Sequence, residues 1–254
     1  MNFITDVHVH YDDPAFDNDR DSVLRRLNAN GVSLIINSGS EVPSSERSVR
    51  LAESYDFVWA SVGVFPLEAY SVPENWLSEI ERLARHEKVV AIGEIGLDYR
   101  EGNERKAEQE EVFVPQIDLA NRLGLPVVIH DCEADEDFLR IFDARPFRGM
   151  IHRFFSEVKY GRMILERGLS LGIGPQITYP NSDKLIQIVK EMPADRILLE
   201  TDGPYLPTYP NNVRATSDMI EEVCVKIAEV RGDMTPQEVA IVAYENAKKL
   251  FSIK

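Results

Sequence analysis

Asp6, His8 and His10 alternate with Val7 and Val9, so in an extended strand the three polar side chains share one face and the valines occupy the other. That face is suited to coordination, although a short His-x-His is a weak pattern and chance histidines on an edge strand would look the same. Four further residues strengthen it by position. Glu94 follows the run Val89 to Gly93, His130 follows Val127 to Ile129, His152 follows Met150-Ile151, and Asp202 stands just past Ile197-Leu198-Leu199. Four of the chain's five histidines belong to this set; His86 lies in a charged helical segment and reads as solvated. Four imidazoles and two carboxylates without a thiolate suit Zn, Mn, Ni or Co, with Mg disfavoured by the nitrogen donors. Six ligands exceed one tetrahedral ion, which implies two divalent metal ions roughly 3.5 to 4 Å apart with Glu94 bridging them.

Elements must bring these residues together across two hundred positions. Short apolar runs alternate with longer segments of helical periodicity from one end of the chain to the other. Strands are read at Phe3 to Val9, Ser33 to Asn37, Val58 to Val62, Val89 to Gly93, Pro126 to Ile129, Gly149 to Ile151, Leu169 to Gly172 and Ile197 to Leu199. Several are nearly continuous in Val, Ile and Leu, as expected of parallel strands covered on both faces. Amphipathic segments at Asp21 to Asn30, Trp76 to His86, Glu108 to Leu123, Tyr160 to Arg167 and Lys184 to Lys190 supply crossover helices. A last helix opens on Thr235-Pro236-Gln237-Glu238, a capping box with a buried stripe expected at Val239, Val242, Ala243 and Leu250. Eight βα units predict an α/β (β/α)8 TIM barrel, whose catalytic face lies at the C-terminal ends of the strands, where the polar set falls.

Length agrees: 254 residues is the size of one such barrel, so a single domain over residues 1–254 is expected. With 44% hydrophobic and 28% charged residues the chain can bury a large core. A formal charge of -15 opposes a polyanion at long range, so any nucleic acid must be held locally by a few cations and metal ions. The acidic start and the lack of a long apolar stretch predict a cytoplasmic protein with no membrane contact. Cys132 and Cys224 encode neither a disulfide framework nor a thiolate zinc site, and with no P-loop or G-x-G-x-x-G a nucleotide cofactor has no support and none is expected. Oligomeric state is not encoded.

The chain resembles the TatD family of metal-dependent deoxyribonucleases among the amidohydrolase-like barrels. The resemblance is carried by Asp6-Val7-His8-Val9-His10, Gly93-Glu94-Ile95-Gly96-Leu97-Asp98-Tyr99, Pro126-Val127-Val128-Ile129-His130, Ile151-His152-Arg153-Phe154 and Leu199-Glu200-Thr201-Asp202-Gly203-Pro204-Tyr205-Leu206. It implies one metal on His8, His10, Glu94 and Asp202, and a second on Glu94, His130 and His152. Three segments depart from the family pattern. Gly63-Val64-Phe65-Pro66 stands where the family usually has G-x-H-P, Cys132 replaces an arginine two residues past His130, and Pro210-Asn211-Asn212-Val213-Arg214 replaces an Arg-Asn-x-Pro segment.

The resemblance implies hydrolysis of phosphodiester bonds, in DNA 3' or 5' ends or small phosphodiesters, by metal-activated water. Asp202 would orient the water and take its proton, with Glu94 as the second catalytic residue. Arg153 is the candidate substrate contact because a guanidinium matches phosphate oxygens, with Arg100 and Arg214 as weaker candidates. Tyr99, Phe65, Tyr179 and Tyr205 read as packing residues, Cys132, two residues after His130 and able to approach a metal, as a small buried thiol, Glu200 as a support, and Gly93 and Gly96 as relief of crowding around Glu94. Two competing readings stand: a dinuclear hydrolase of amide, ester or lactone bonds, and a non-catalytic metal-binding scaffold.

Overall fold

Eight strands lie in one sheet in the order of the sequence: β1 (Ile4–Val9), β2 (Val32–Ser38), β3 (Val58–Val62), β4 (Val89–Asp98), β5 (Val127–Cys132), β6 (Gly149–Ile151), β7 (Ser170–Ile173) and β8 (Ile197–Leu199). They are parallel and form the predicted (β/α)8 barrel. The structure is a computed structural model that describes residues 1–101 and 103–254. By internal contacts the chain divides into two compact units, Met1–Asn37 with Arg153–Lys254, and Ser38–His152.

The helices are α1 (Arg20–Ala29), α2 (Val42–Ser54), α3 (Trp76–Ala84), α4 (Lys106–Leu123), α5 (Asp135–Ala144), α6 (Val158–Glu166), α7 (Asp183–Glu191), α8 (Ile220–Arg231) and α9 (Pro236–Phe251). Periodicity did not expose α2, because its inner face buries Ser44, Ser45 and Ser48 beside Val49 and Ala52. Those serines have partners: Ser45 Oγ accepts from the Gly63 N–H at 3.2 Å, at the end of β3. Among the described residues no helix is long and apolar enough to cross a membrane.

Two strands run further than their apolar cores suggest, so Glu94 lies inside β4 and His130 inside β5 rather than just past them. After a register shift between Ile92 and Ile95 the two strands pair again, Gly96 opposite His130 and Asp98 opposite Cys132. The Gln109 side chain secures the end of β4, accepting from the Asp98 N–H and donating to the Asp98 carbonyl, both at 2.8 Å. Polarity does not end a strand whose polar groups find partners.

The last helix begins as predicted. Thr235 accepts from the Glu238 N–H and Glu238 accepts from the Thr235 N–H, completing a capping box. Its inner stripe is Val239, Ala240, Ala243, Ala247 and Phe251, while Val242 and Leu250 are only half-buried. The alanines, spaced by three and four residues, let α9 lie close on β1 and β8, and larger side chains fall to the flanks. Thr235→Ala is expected to lower stability by about 1 kcal/mol. In urea the midpoint should fall with an unchanged slope, and an unmoved midpoint would show that the cap contributes nothing.

Candidate metal centre

In the unit that contains both chain ends, His8 is buried within β1 and His10 stands just past it. Their Nε2 atoms are 3.2 Å apart, and Asp202 Oδ1 lies 3.7 Å from the first and 3.5 Å from the second. Donors held at about 2.1 Å from a tetrahedral ion are separated by about 3.4 Å, so this triangle is the right size for one ion. Main-chain hydrogen bonds place it. The Asp202 N–H donates to the His8 carbonyl at 2.9 Å, and the His10 N–H donates to the Gly203 carbonyl at 2.7 Å. Asp202 itself is left-handed at φ 59°, a conformation a short polar residue tolerates when its surroundings require it.

Asp6, on the same strand as His8, is engaged by other partners. Its carboxylate accepts from the Thr201 N–H at 3.0 Å, Thr201 Oγ1 at 2.5 Å and Ser217 Oγ at 2.7 Å, and so fixes the residue before Asp202. Burial pushes its pKa up to about 7 against the pull of those hydrogen bonds. Tyr11, bonded to Ser217 at 2.8 Å, and Asn37, which accepts from the Tyr11 N–H at 2.6 Å, extend this support. Sequence reading missed that network, since Ser217, Tyr11 and Asn37 carry no metal-ligand spacing.

Arg153 follows His152 with φ 48°, and its N–H donates to the buried carboxylate of Glu200. Glu200 is thus the support expected of it. It lies against Gly172, where an added Cβ would come within 2.3 Å of Glu200 Oε2. Arg153 Nη1 is 3.7 Å from Asp202 Oδ2 and its side chain is 39% exposed, so the guanidinium reaches both the carboxylate and solvent. The other cations are engaged elsewhere. Arg214 bonds both Asp19 oxygens and lies over Phe16, and Arg100 bonds Glu133 at 3.0 Å. Tyr99, Tyr179 and Tyr205 direct their hydroxyls to Asp137, the Pro207 carbonyl and Asp13.

In the second unit Glu94 Oε1 lies 2.8 Å from His130 Nδ1 and 3.6 Å from His152 Nε2, with all three residues buried. The three are spaced to share an ion. Strand register explains how they meet. Glu94, Gly96 and Asp98 alternate along β4, Gly96 faces His130, and the imidazole sits between the two carboxylates with its Nε2 3.0 Å from Asp98 Oδ2. Phe65, in place of the family's histidine, packs edge-on to the same ring at 4.7 Å.

Burial opposes a charge on His130, but hydrogen bonds to Asp98, Cys132 and Glu94 overcome it and hold the ring's pKa well above the usual imidazole range. A field that favours a proton there also favours a cation. Burial likewise works to raise Asp98, yet its bonds from His130 and the Glu101 N–H keep it below the usual carboxylate range. Asp98 was absent from the sequence-based set, because the strand was read to end at Gly93 and its alternation with Glu94 appears only once β4 is seen to continue. As the partner of the second ring nitrogen it orients His130 toward Glu94. Asp98→Asn is expected to weaken binding of one ion by about 10- to 100-fold. Titration calorimetry that finds both affinities unchanged would remove the role.

Three sequence readings need correction here. Cys132 is half-exposed rather than buried, because it stands at the last position of β5. Gly93 and Gly96 relieve crowding against β5 rather than around Glu94: a Cβ would meet the Val128 side chain at 2.6 Å and the His130 carbonyl oxygen at 1.9 Å respectively. His86 is half-buried with its Nε2 3.1 Å from Glu53.

Each unit therefore gathers three of the six predicted ligands, with donors in the chemistry and spacing of a divalent ion. Comparison with known proteins agrees with the fold and with a metal-dependent hydrolase. Residues 5–252 match the family model described as TatD related DNase. The chain is 37% identical over 252 residues to an uncharacterized metal-dependent hydrolase, YabD, of Bacillus subtilis (strain 168), covering 98% of each. It is 32% identical over 255 residues to the 3'-5' ssDNA/RNA exonuclease TatD of Cronobacter sakazakii, covering 97% of each. The crystal structure of YJJV, a TatD homolog from Escherichia coli K12, superposes with a TM-score of 0.93 at 27% identity and 99% coverage of both chains. With the barrel, the strand-end histidines and acids and a match along nearly its whole length, the chain belongs to the TatD-related DNase family of metal-dependent hydrolases.

Proposed function

We propose that His8, His10, Glu94, His130, His152 and Asp202 hold two divalent ions, drawn from Zn, Mn, Ni, Co and Mg, with Glu94 shared between them. On this reading the protein cleaves phosphodiester bonds at DNA ends or in small phosphodiesters, working as one domain in the cytoplasm. The observation that carries it is the triangle of His8, His10 and Asp202, whose separations of 3.2, 3.5 and 3.7 Å fit donors around a single ion. The nuclease named among its relatives supports the substrate class, and two free cysteines suit a reducing compartment.

Bound ions would supply Lewis acidity toward the phosphoryl group and lower the pKa of water. The chain's own residues do the rest. Asp202 orients the attacking water and takes its proton at the carboxylate. Arg153, tethered through its N–H to Glu200, presents its guanidinium to a phosphate oxygen. Phe65 and Cys132 leave fewer polar contacts than the family pattern, which favours a substrate held mainly at its reacting phosphate.

The test is a comparison of substrates with purified protein loaded with manganese or zinc. Release of nucleotides from single-stranded DNA ends, together with hydrolysis of bis(p-nitrophenyl) phosphate, is expected. Efficient cleavage of a small ester or amide with untouched DNA ends and phosphodiester would overturn the reading in favour of acyl hydrolysis.

A further inference from the structure

We propose that Asp98, His130 and Cys132 form a third metal site, suited to thiophilic ions such as zinc or cadmium, through which an excess of such an ion inhibits the hydrolase centre beside it. The site follows from register. His130 and Cys132 alternate on one face of β5, and Asp98 is the direct partner of Cys132 on β4. Their donor atoms all lie within 4.8 Å of one another. Carboxylate, imidazole and thiolate together are a zinc-type donor set, and the sulfur distinguishes it from the six-residue centre, which has none.

The donors are held in place before any ion arrives. Asp98 Oδ1 accepts from the Arg100 and Glu101 N–H groups, each at 3.0 Å, which leaves Oδ2 aimed at His130 Nε2. The Tyr99 N–H donates to the Cys132 carbonyl at 2.8 Å and ties the two strand ends together. Cys132 is half-exposed, giving an ion a way in, and the nearby Arg100 guanidinium is bonded to Glu133. Binding forms metal–sulfur, metal–nitrogen and metal–oxygen bonds in place of the hydrogen bond between His130 Nε2 and Asp98 Oδ2, and releases the thiol proton and the Nε2 proton to solvent with no change of oxidation state.

Inhibition arises because His130 offers two nitrogens. Nδ1 faces Glu94 and Nε2 faces Asp98, so an ion on the Nε2 side removes the hydrogen bond that orients the ring and competes for its electron density. This coupling rests on the reading that His130 holds a catalytic ion, whereas binding at the three residues does not.

The experiment titrates cadmium into the full chain loaded with manganese, following sulfur-to-cadmium charge-transfer absorption and hydrolysis of bis(p-nitrophenyl) phosphate together. Cys224, the other cysteine, is fully buried in α8 with its thiol pushed up to about 12 by burial, so the absorption reports Cys132. The band should saturate at one equivalent and turnover should fall over the same range. In Cys132→Ser the band should vanish, manganese-supported turnover should persist, and inhibition should need about tenfold more cadmium. No band in the wild-type protein, or the same band in Cys132→Ser, overturns the site. A saturated band with undiminished turnover overturns the inhibition. Absence of turnover before cadmium is added counts against the hydrolase reading alone, and the absorption still decides the site.

Discussion

Asp202→Asn is expected to abolish hydrolysis while leaving the fold in place. On the function proposed above the carboxylate would act twice, as one corner of the donor triangle with His8 and His10 and as acceptor of the water's proton. General-base catalysis alone is worth about 10²- to 10⁴-fold, and the amide that replaces it is a poor base and a neutral donor. The fold should survive because Asp202 is placed through its backbone, by its N–H on the His8 carbonyl and the Gly203 carbonyl on the His10 N–H, and an asparagine tolerates the left-handed conformation equally well. Circular dichroism and the melting temperature should therefore hold while turnover drops by about 10³-fold or more. Metal content must be measured on the same sample. A variant that carries its full metal complement and turns over at the wild-type rate would show that some other group takes the proton.

What could be read from residue order was the scaffold and the metal-type donors. Eight apolar runs appear as eight strands because parallel barrel strands are buried on both faces and need no alternation to be recognised. His8, His10, His130 and His152 stood out because the chain has only one other histidine. What escaped was the support around the donors. Asp6 seemed from alternation alone to belong with His8 and His10, yet Thr201 and Ser217 consume its hydrogen-bonding capacity, and those partners lie roughly two hundred residues away. The extension of β4 to Asp98 was hidden because Glu94 interrupts the apolar run, and only pairing with β5 shows that the strand continues. The stripe of α9 was read correctly at Val239 and Ala243, but Ala240 and Ala247 were missed for a related reason. Close approach to β1 and β8 selects alanine, a residue that a search for large apolar side chains passes over.

Among the described glycines, Gly96→Ala should be the most damaging substitution by alanine, and a second glycine makes the claim testable. Gly96 has φ +148°, and a Cβ there would lie 1.9 Å from the His130 carbonyl oxygen, 2.8 Å from its carbon and 3.1 Å from its nitrogen. All three are backbone atoms of the paired strand, so no rotamer change relieves the clash and β4 must part from β5. An unfavourable φ alone costs about 1 to 3 kcal/mol, and the clash adds to it. A total near 4 kcal/mol corresponds to a fall in melting temperature of about 10 °C for a chain of this size. The same movement takes His130 from between Glu94 and Asp98, so metal stoichiometry should fall in whatever protein remains folded. Gly124 at the end of α4 is the control, with φ +71° but nothing within 4 Å of its would-be Cβ. Gly124→Ala should cost about 1 kcal/mol and leave metal binding intact. Equal losses in the two variants would mean that backbone conformation, and not the approach of the two strands at His130, is what Gly96 provides.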